Sequence, residues 1–113
     1  MKVYTEGLAH DLRNRDGCRV TAHLLVPGYT FTGMTAQRGD KPPAAWTADQ
    51  VVDFLLEHLA AGDFYILCPD NEATRAIDER RIQWAADDII KNRLALSRWH
   101  PDWAAAFAAY MKS

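Results

Sequence analysis

Val20-Thr21-Ala22-His23-Leu24-Leu25-Val26-Pro27-Gly28-Tyr29-Thr30-Phe31-Thr32-Gly33-Met34 is the stretch on which the fold turns. Its first part reads as a strand running from Cys18 to Val26. Val20, Ala22, Leu24 and Val26 fall on one face by the two-residue period of a strand. Leu25 is apolar on the other face, beside Thr21 and His23, so both faces are expected to be partly covered, as in a parallel sheet. Pro27-Gly28 then stops the strand, because proline donates no hydrogen bond and glycine permits a sharp turn.

Upstream, residues 2–14 have helical spacing, with Tyr4, Leu8 and Leu12 at every fourth position and Glu6, His10, Asp11 and Arg13 between them. No cap residue precedes this helix, which is expected to begin in mid-stride. Asn14 to Gly17 make a turn. Downstream, a loop of about twenty residues runs from Tyr29 to Trp46, a length that suits a lid or binding segment. Thr47-Ala48-Asp49-Gln50 has capping-box form and opens a helix whose apolar stripe is Val51, Val52, Leu55, Leu56 and Leu59. Gly62 is placed to end it. Phe64 to Cys68 is a short, nearly all-apolar strand. Asp70 is positioned to cap a third helix reaching about Arg93, with Ile77, Trp84, Ala85 and Ile89 inward. A last helix is expected from near Pro101, carrying Trp103, Ala106, Phe107 and Tyr110.

The order helix, strand, loop, helix, strand predicts an α/β fold with two parallel strands joined by a crossover helix. Two strands make a poor open sheet, so the first strand is expected to need a further partner.

The residues from Val20 to Met34 resemble the sixth strand of the short-chain dehydrogenase/reductase family and its Pro-Gly segment, which is commonly followed by a β-branched residue and then a threonine. Tyr4 to Arg13, with its Leu-Ala-x-Asp-Leu pattern, is similar to the second half of that family's catalytic helix. Asp49 to Leu59 and Phe64 to Cys68 are similar to its last helix and seventh strand. The resemblance implies the carboxy-terminal fragment of a Rossmann-like doubly wound parallel sheet over residues 1–68, with 69–113 a helical extension of the same domain.

Ligands of open parallel sheets bind beyond the carboxyl ends of the strands, where Pro27 and Gly28 lie. The resemblance assigns Pro27, Gly28, Thr30 and Thr32 to the nicotinamide cofactor. The main chain of Thr30 would pair with the carboxamide, and the Thr32 hydroxyl would reach the carboxamide or diphosphate. A simple turn-stabilising hydroxyl is the plainer reading of Thr32. Tyr29, Phe31, Met34 and Trp46 would shape the substrate side of the loop, or serve only as its anchors.

Carbonyl reduction needs a proton donor at the developing alkoxide, which the family supplies as a tyrosine with a lysine four residues later. Tyr4, Tyr29 and Tyr65 are followed at that spacing by Leu8, Gly33 and Pro69, and Tyr110 lies too near the end. The resemblance places the missing pair shortly before Met1. No G-x-G-x-x-G is present. The expectation is that NAD or NADP belongs to the complete protein, and that this chain alone binds neither and is inactive.

A chain of 113 residues suits one small domain. A net charge of −2 without a basic run argues against nucleic acid. No apolar stretch has bilayer length and the amino terminus lacks a secretory core, so a cytoplasmic location is expected. Cys18 and Cys68 are read as free buried thiols, with a bridge as the alternative because both lie at ends of predicted strands. His10, His23, His58 and His100 have no metal-ligand spacing. Adjacent Asp87 and Asp88 cannot face one another. The rival reading is a non-enzymatic interaction module, its open strand edge covered by self-association into a homo-oligomer.

Overall fold

Leu24, Leu25 and Val26 pair in parallel with Tyr65, Ile66 and Leu67, residue for residue. In this computed structural model, which describes residues 1–36 and 39–113, the chain divides into two units, Met1–Glu72 and Ala73–Ser113. The first is a mixed α/β unit. It runs through α1 (Lys2–Arg13), β1 (Leu24–Val26), β2 (Thr30–Phe31), α2 (Gly33–Ala36), β3 (Trp46–Thr47), α3 (Ala48–Ala60) and β4 (Tyr65–Leu67). The parallel pairing and the crossover through α3 agree with the sequence pattern.

The first strand is shorter than its alternation suggests. Residues 18–23 are unpaired, and the ladder begins only at Leu24. A ladder is no longer than the partner it is offered, and β4 has three residues. The long loop also departs from expectation by holding structure of its own. Within it, β2 pairs in parallel with β3, Thr30 opposite Trp46 and Phe31 opposite Thr47.

Both ends of α3 are written in the sequence. Thr47 accepts from the Gln50 amide while the Gln50 side chain accepts from the Thr47 amide, closing the capping box. At the other end Gly62 has φ +80°. There the amides of Gly62 and Asp63 donate back to Leu59 and His58, a Schellman ending that needs a left-handed residue. The apolar stripe is only partly used: Val51 is buried, Leu55 half-buried, and Val52, Leu56 and Leu59 exposed. Leu24, Ala45, Val51, Ile66 and Cys68 form the core.

The second unit contains α4 (Arg75–Ile90), two 3-10 turns (Ser97–Trp99 and Pro101–Trp103) and α5 (Ala104–Lys112). Its centre is Trp84. The ring lies 5.3 Å from both Phe107 and Tyr110 and 6.2 Å from Trp103, and the Arg93 guanidinium stacks on it at 3.9 Å. Its indole N–H donates to the fully buried Ser97 hydroxyl, which donates in turn to Asp88.

Four expectations for this segment need correction. The cap of α4 is Thr74, extended at φ −77° and ψ 168°, which accepts from the Ile77 amide; Asp70 is engaged elsewhere. The helix ends at Ile90 rather than near Arg93, because Asn92 turns left-handed at φ 51° and the amides of Asn92 and Arg93 bond back to Ile89 and Asp88. Ala85 and Ile89 are exposed, and Trp84 is the buried residue of that face. The last helix proper starts at Ala104, with Pro101 opening the 3-10 turn before it. Among the described residues, no helix is long and apolar enough to cross a membrane.

Candidate functional site

The carboxyl ends of β1 and β4 lie side by side, and the chain after each is held to the other. From β1 the backbone passes through Pro27 to Gly28, whose missing Cβ would stand 3.1 Å from the carbonyl oxygens of Cys68 and Pro69. The close approach that Gly28 permits is therefore to the end of β4. A methyl group would meet backbone on two sides.

Tyr29 follows, its amide donating to the Asp70 carboxylate at 3.1 Å and its carbonyl accepting from the Trp46 amide at 2.9 Å. Asp70 also accepts from the Glu72 amide at 2.8 Å, a side-chain turn that fixes the carboxylate beneath the loop. The Thr30 hydroxyl donates to the Gly28 carbonyl at 3.1 Å. In a parallel ladder a residue directs its amide and carbonyl to one edge, and its neighbour to the other. Because Trp46 donates to Tyr29 in the register Thr30–Trp46, the amide and carbonyl of Thr30 point away from β3.

Thr32 stands before α2. Its amide donates to the Thr35 hydroxyl at 2.7 Å, and that hydroxyl donates back to the Thr32 carbonyl at 3.1 Å. The turn is thus tied by Thr35, a residue that sequence reasoning passed over. Thr32 is exposed.

The proposed substrate residues separate into two kinds. Met34 is 83% exposed and Tyr29 is partly so, both at the surface of the loop. Trp46 and Phe31 are half-buried. Trp46 meets Phe54 edge-on at 5.9 Å and donates its indole N–H to Asn71 at 3.1 Å. Asn71 also donates from its side chain to the Pro43 carbonyl at 2.7 Å and from its amide to the Ala44 carbonyl at 3.0 Å. Trp46 is accordingly an anchor of the loop, and Asn71 is the latch. Neither Asp70 nor Asn71 figured as a site residue in the sequence. The available signal was their place directly after Pro69, at the end of a parallel strand.

No protein-family model, curated protein or solved structure matches this chain.

Polar groups elsewhere in this unit form other arrangements. The Tyr65 hydroxyl donates to the Glu6 carboxylate, joining β4 to α1. That bond, with Lys2 beside it, holds the Glu6 carboxyl below its ordinary value, and the same bond pushes the Tyr65 phenol up. Tyr65 is thus a poorer acid than a free tyrosine, the nearby Lys2 charge being outweighed by the bond to Glu6. Burial raises the Cys68 thiol, which disfavours the nucleophilic thiolate. His58 contacts Asp63 at 2.7 Å and stacks on Phe54 at 4.2 Å. Among the described residues no group of three or more His, Cys, Asp or Glu side chains gathers as a metal site.

Proposed function

We propose that this chain is the carboxy-terminal part of an NAD(P)-dependent short-chain oxidoreductase, a piece of a Rossmann-like sheet supplying one wall of a nicotinamide pocket. The observation that carries this reading is the Thr30 backbone edge. It lies beyond the end of a parallel strand, where such sheets receive ligands. Its amide and carbonyl are turned away from β3. An adjacent donor and acceptor match a carboxamide, which presents one of each. Pairing there would hold the pyridine ring in one orientation and fix which face meets the substrate.

In this reading Pro27 and Gly28 bring the chain across the strand ends, and Thr32 offers its hydroxyl beside the same edge. Tyr29, Phe31 and Met34 border the substrate side. The proton donor and the phosphate-binding glycines belong to sequence outside these 113 residues, so hydride transfer between nicotinamide and a carbonyl or alcohol requires the complete protein. The two free thiols suit a reducing, cytoplasmic setting.

The test is titration of NADH and NADPH into this chain and into a longer chain that carries a Tyr-x-x-x-Lys helix and a glycine-rich strand ahead of residue 1. Binding confined to the longer chain, and weakened by Thr32→Val, supports the reading. Binding by neither contradicts it.

A second reading, self-association, is favoured by the open face of α3. Val52, Leu56 and Leu59 are 48%, 58% and 37% exposed, although the helix was expected to bury all three. Exposed apolar faces of this kind mark contact surfaces, and a second copy would cover them. Sedimentation of the chain alone would show a concentration-dependent dimer on this reading, and a well-folded monomer would exclude it.

A further inference from the structure

A hollow of about 460 Å³ lies in the first unit, between α1 and the two segments that lead into β1 and β4. It is therefore at the amino ends of these strands, away from Gly28 to Thr32 at their carboxyl ends. Ala9 and Leu12 of α1, with Val20, Ala22 and Phe64, make most of its wall apolar. A second hollow of about 330 Å³ shares Ala9, Arg13 and Phe64 with it, so Arg13 stands where the two meet. Volumes of this order suit a small ligand.

The other polar groups of these walls are already matched. His23 Nδ1 lies 2.6 Å from the Asp63 carbonyl, which can only accept, so this nitrogen carries the hydrogen. The neutral ring then accepts at Nε2 from the Thr21 hydroxyl, 2.8 Å away. Glu6, in the wall of the second hollow, is taken up by Lys2 at 3.1 Å and by the Tyr65 hydroxyl. The Cys18 thiol is turned to the Val20 carbonyl at 3.7 Å.

Arg13 is the exception. Its guanidinium donates to His10 Nδ1 at 3.0 Å, a neutral acceptor, and among the described residues no carboxylate pairs with it. A mostly apolar wall with one uncompensated cation selects a ligand of complementary make, an anionic head on an apolar body. A guanidinium fork takes a carboxylate through paired charge-assisted hydrogen bonds, and the wall removes a short hydrocarbon from water. The wall is also held in place beforehand. Residues 18–23 have no strand partner, and the His23 bond to Asp63 ties them to the segment before β4.

We propose that this hollow is a binding site for a small aliphatic carboxylate. Arg13 holds the head group, and Ala9, Leu12, Val20 and Phe64 cover the chain. The site shares no residue with the Gly28–Thr32 edge, so it stands or falls apart from the nicotinamide reading.

The test is a chemical-shift titration of the full chain with sodium hexanoate, sodium acetate and 1-hexanol, at ionic strength fixed with chloride. Hexanoate should saturate one site and move the amide signals of Ala9, Leu12 and residues 20–23. Acetate lacks the apolar body and hexanol lacks the charge, so each should bind at least tenfold more weakly. Arg13 is at the surface, so its replacement leaves the core intact. Arg13→Gln should weaken hexanoate by about tenfold or more, the loss of a charge-assisted pair, and leave hexanol as it was. Arg15→Gln, outside the wall, should change neither. No saturable hexanoate binding, hexanol binding as tightly as hexanoate, or an Arg13→Gln variant that binds like the parent would each overturn the proposal.

Discussion

Asn71 and Trp46 are joined side chain to side chain, the indole N–H donating to Asn71 Oδ1 at 3.1 Å. The same amide donates to the Pro43 carbonyl, so one residue after β4 holds both the backbone and the ring that close the long loop. Replacing Asn71 with Leu removes both bonds and leaves the Pro43 carbonyl and the indole to water. The expected cost is about 1–2 kcal/mol. Urea unfolding should show it, and hydrogen exchange should quicken over residues 42–46 before the rest of the unit.

Gly28 and Gly7 offer a matched pair. A Cβ at Gly28 would meet two backbone carbonyls at 3.1 Å, whereas one at Gly7, in α1, meets nothing within 4 Å. Gly28→Ala is expected to destabilise by about 1–3 kcal/mol, as overpacking against backbone does. Gly7→Ala should stabilise by roughly 0.5–1 kcal/mol through helix propensity. Opposite shifts in Tm would check both, and a neutral Gly28→Ala would show that β1 and β4 end further apart than described.

Much of the first unit was legible because its signals are local. The capping box of Thr47 and Gln50, the ending at Gly62 and the apolar run before Cys68 each depend on neighbours in sequence. From these the parallel pairing followed. The extent of β1 was not legible, since it is set by the length of β4 and not by the alternation of Val20 to Val26. Asp70 has the form of a helix cap, yet its carboxylate accepts from Tyr29, 41 positions away. Asn71 was invisible for the same reason. In the second unit, the periodicity of α4 points to Trp84 together with Ala85 and Ile89, and only Trp84 is buried, covered by aromatic residues of a later helix.

The polar chain Trp84–Ser97–Asp88 should be sensitive to deletion. Ser97→Ala strands the indole N–H in the core and is expected to cost about 1–3 kcal/mol, measured by urea unfolding. The Ser97 hydroxyl, its amide and Arg93 all hold the Asp88 carboxyl below its ordinary value. A carboxyl depressed on folding contributes stability that is complete above about pH 5 and is lost as pH falls through its folded value. Asp88→Asn should therefore flatten the acid limb of the stability curve. An unchanged acid limb would show that Asp88 is not a group controlling it.

The two thiols should react at different rates. Cys68 is 1% exposed with its thiol pushed up by burial, whereas Cys18 is half-buried. A disulfide reagent at neutral pH is expected to modify Cys18 first and Cys68 only as fast as the unit opens. Mass mapping of the early product checks the order, and early labelling of Cys68 would contradict the packing of β4.

The most direct test follows the Thr30 amide by nitrogen-edited NMR while NADH is added to the longer, cofactor-competent chain. If a carboxamide pairs with this backbone edge, the Thr30 signal moves with saturation, Thr32 moves with it, and Thr32→Val weakens the response. Should the cofactor bind while the signals of residues 28–32 stay still, the ring lies elsewhere and the nicotinamide reading fails.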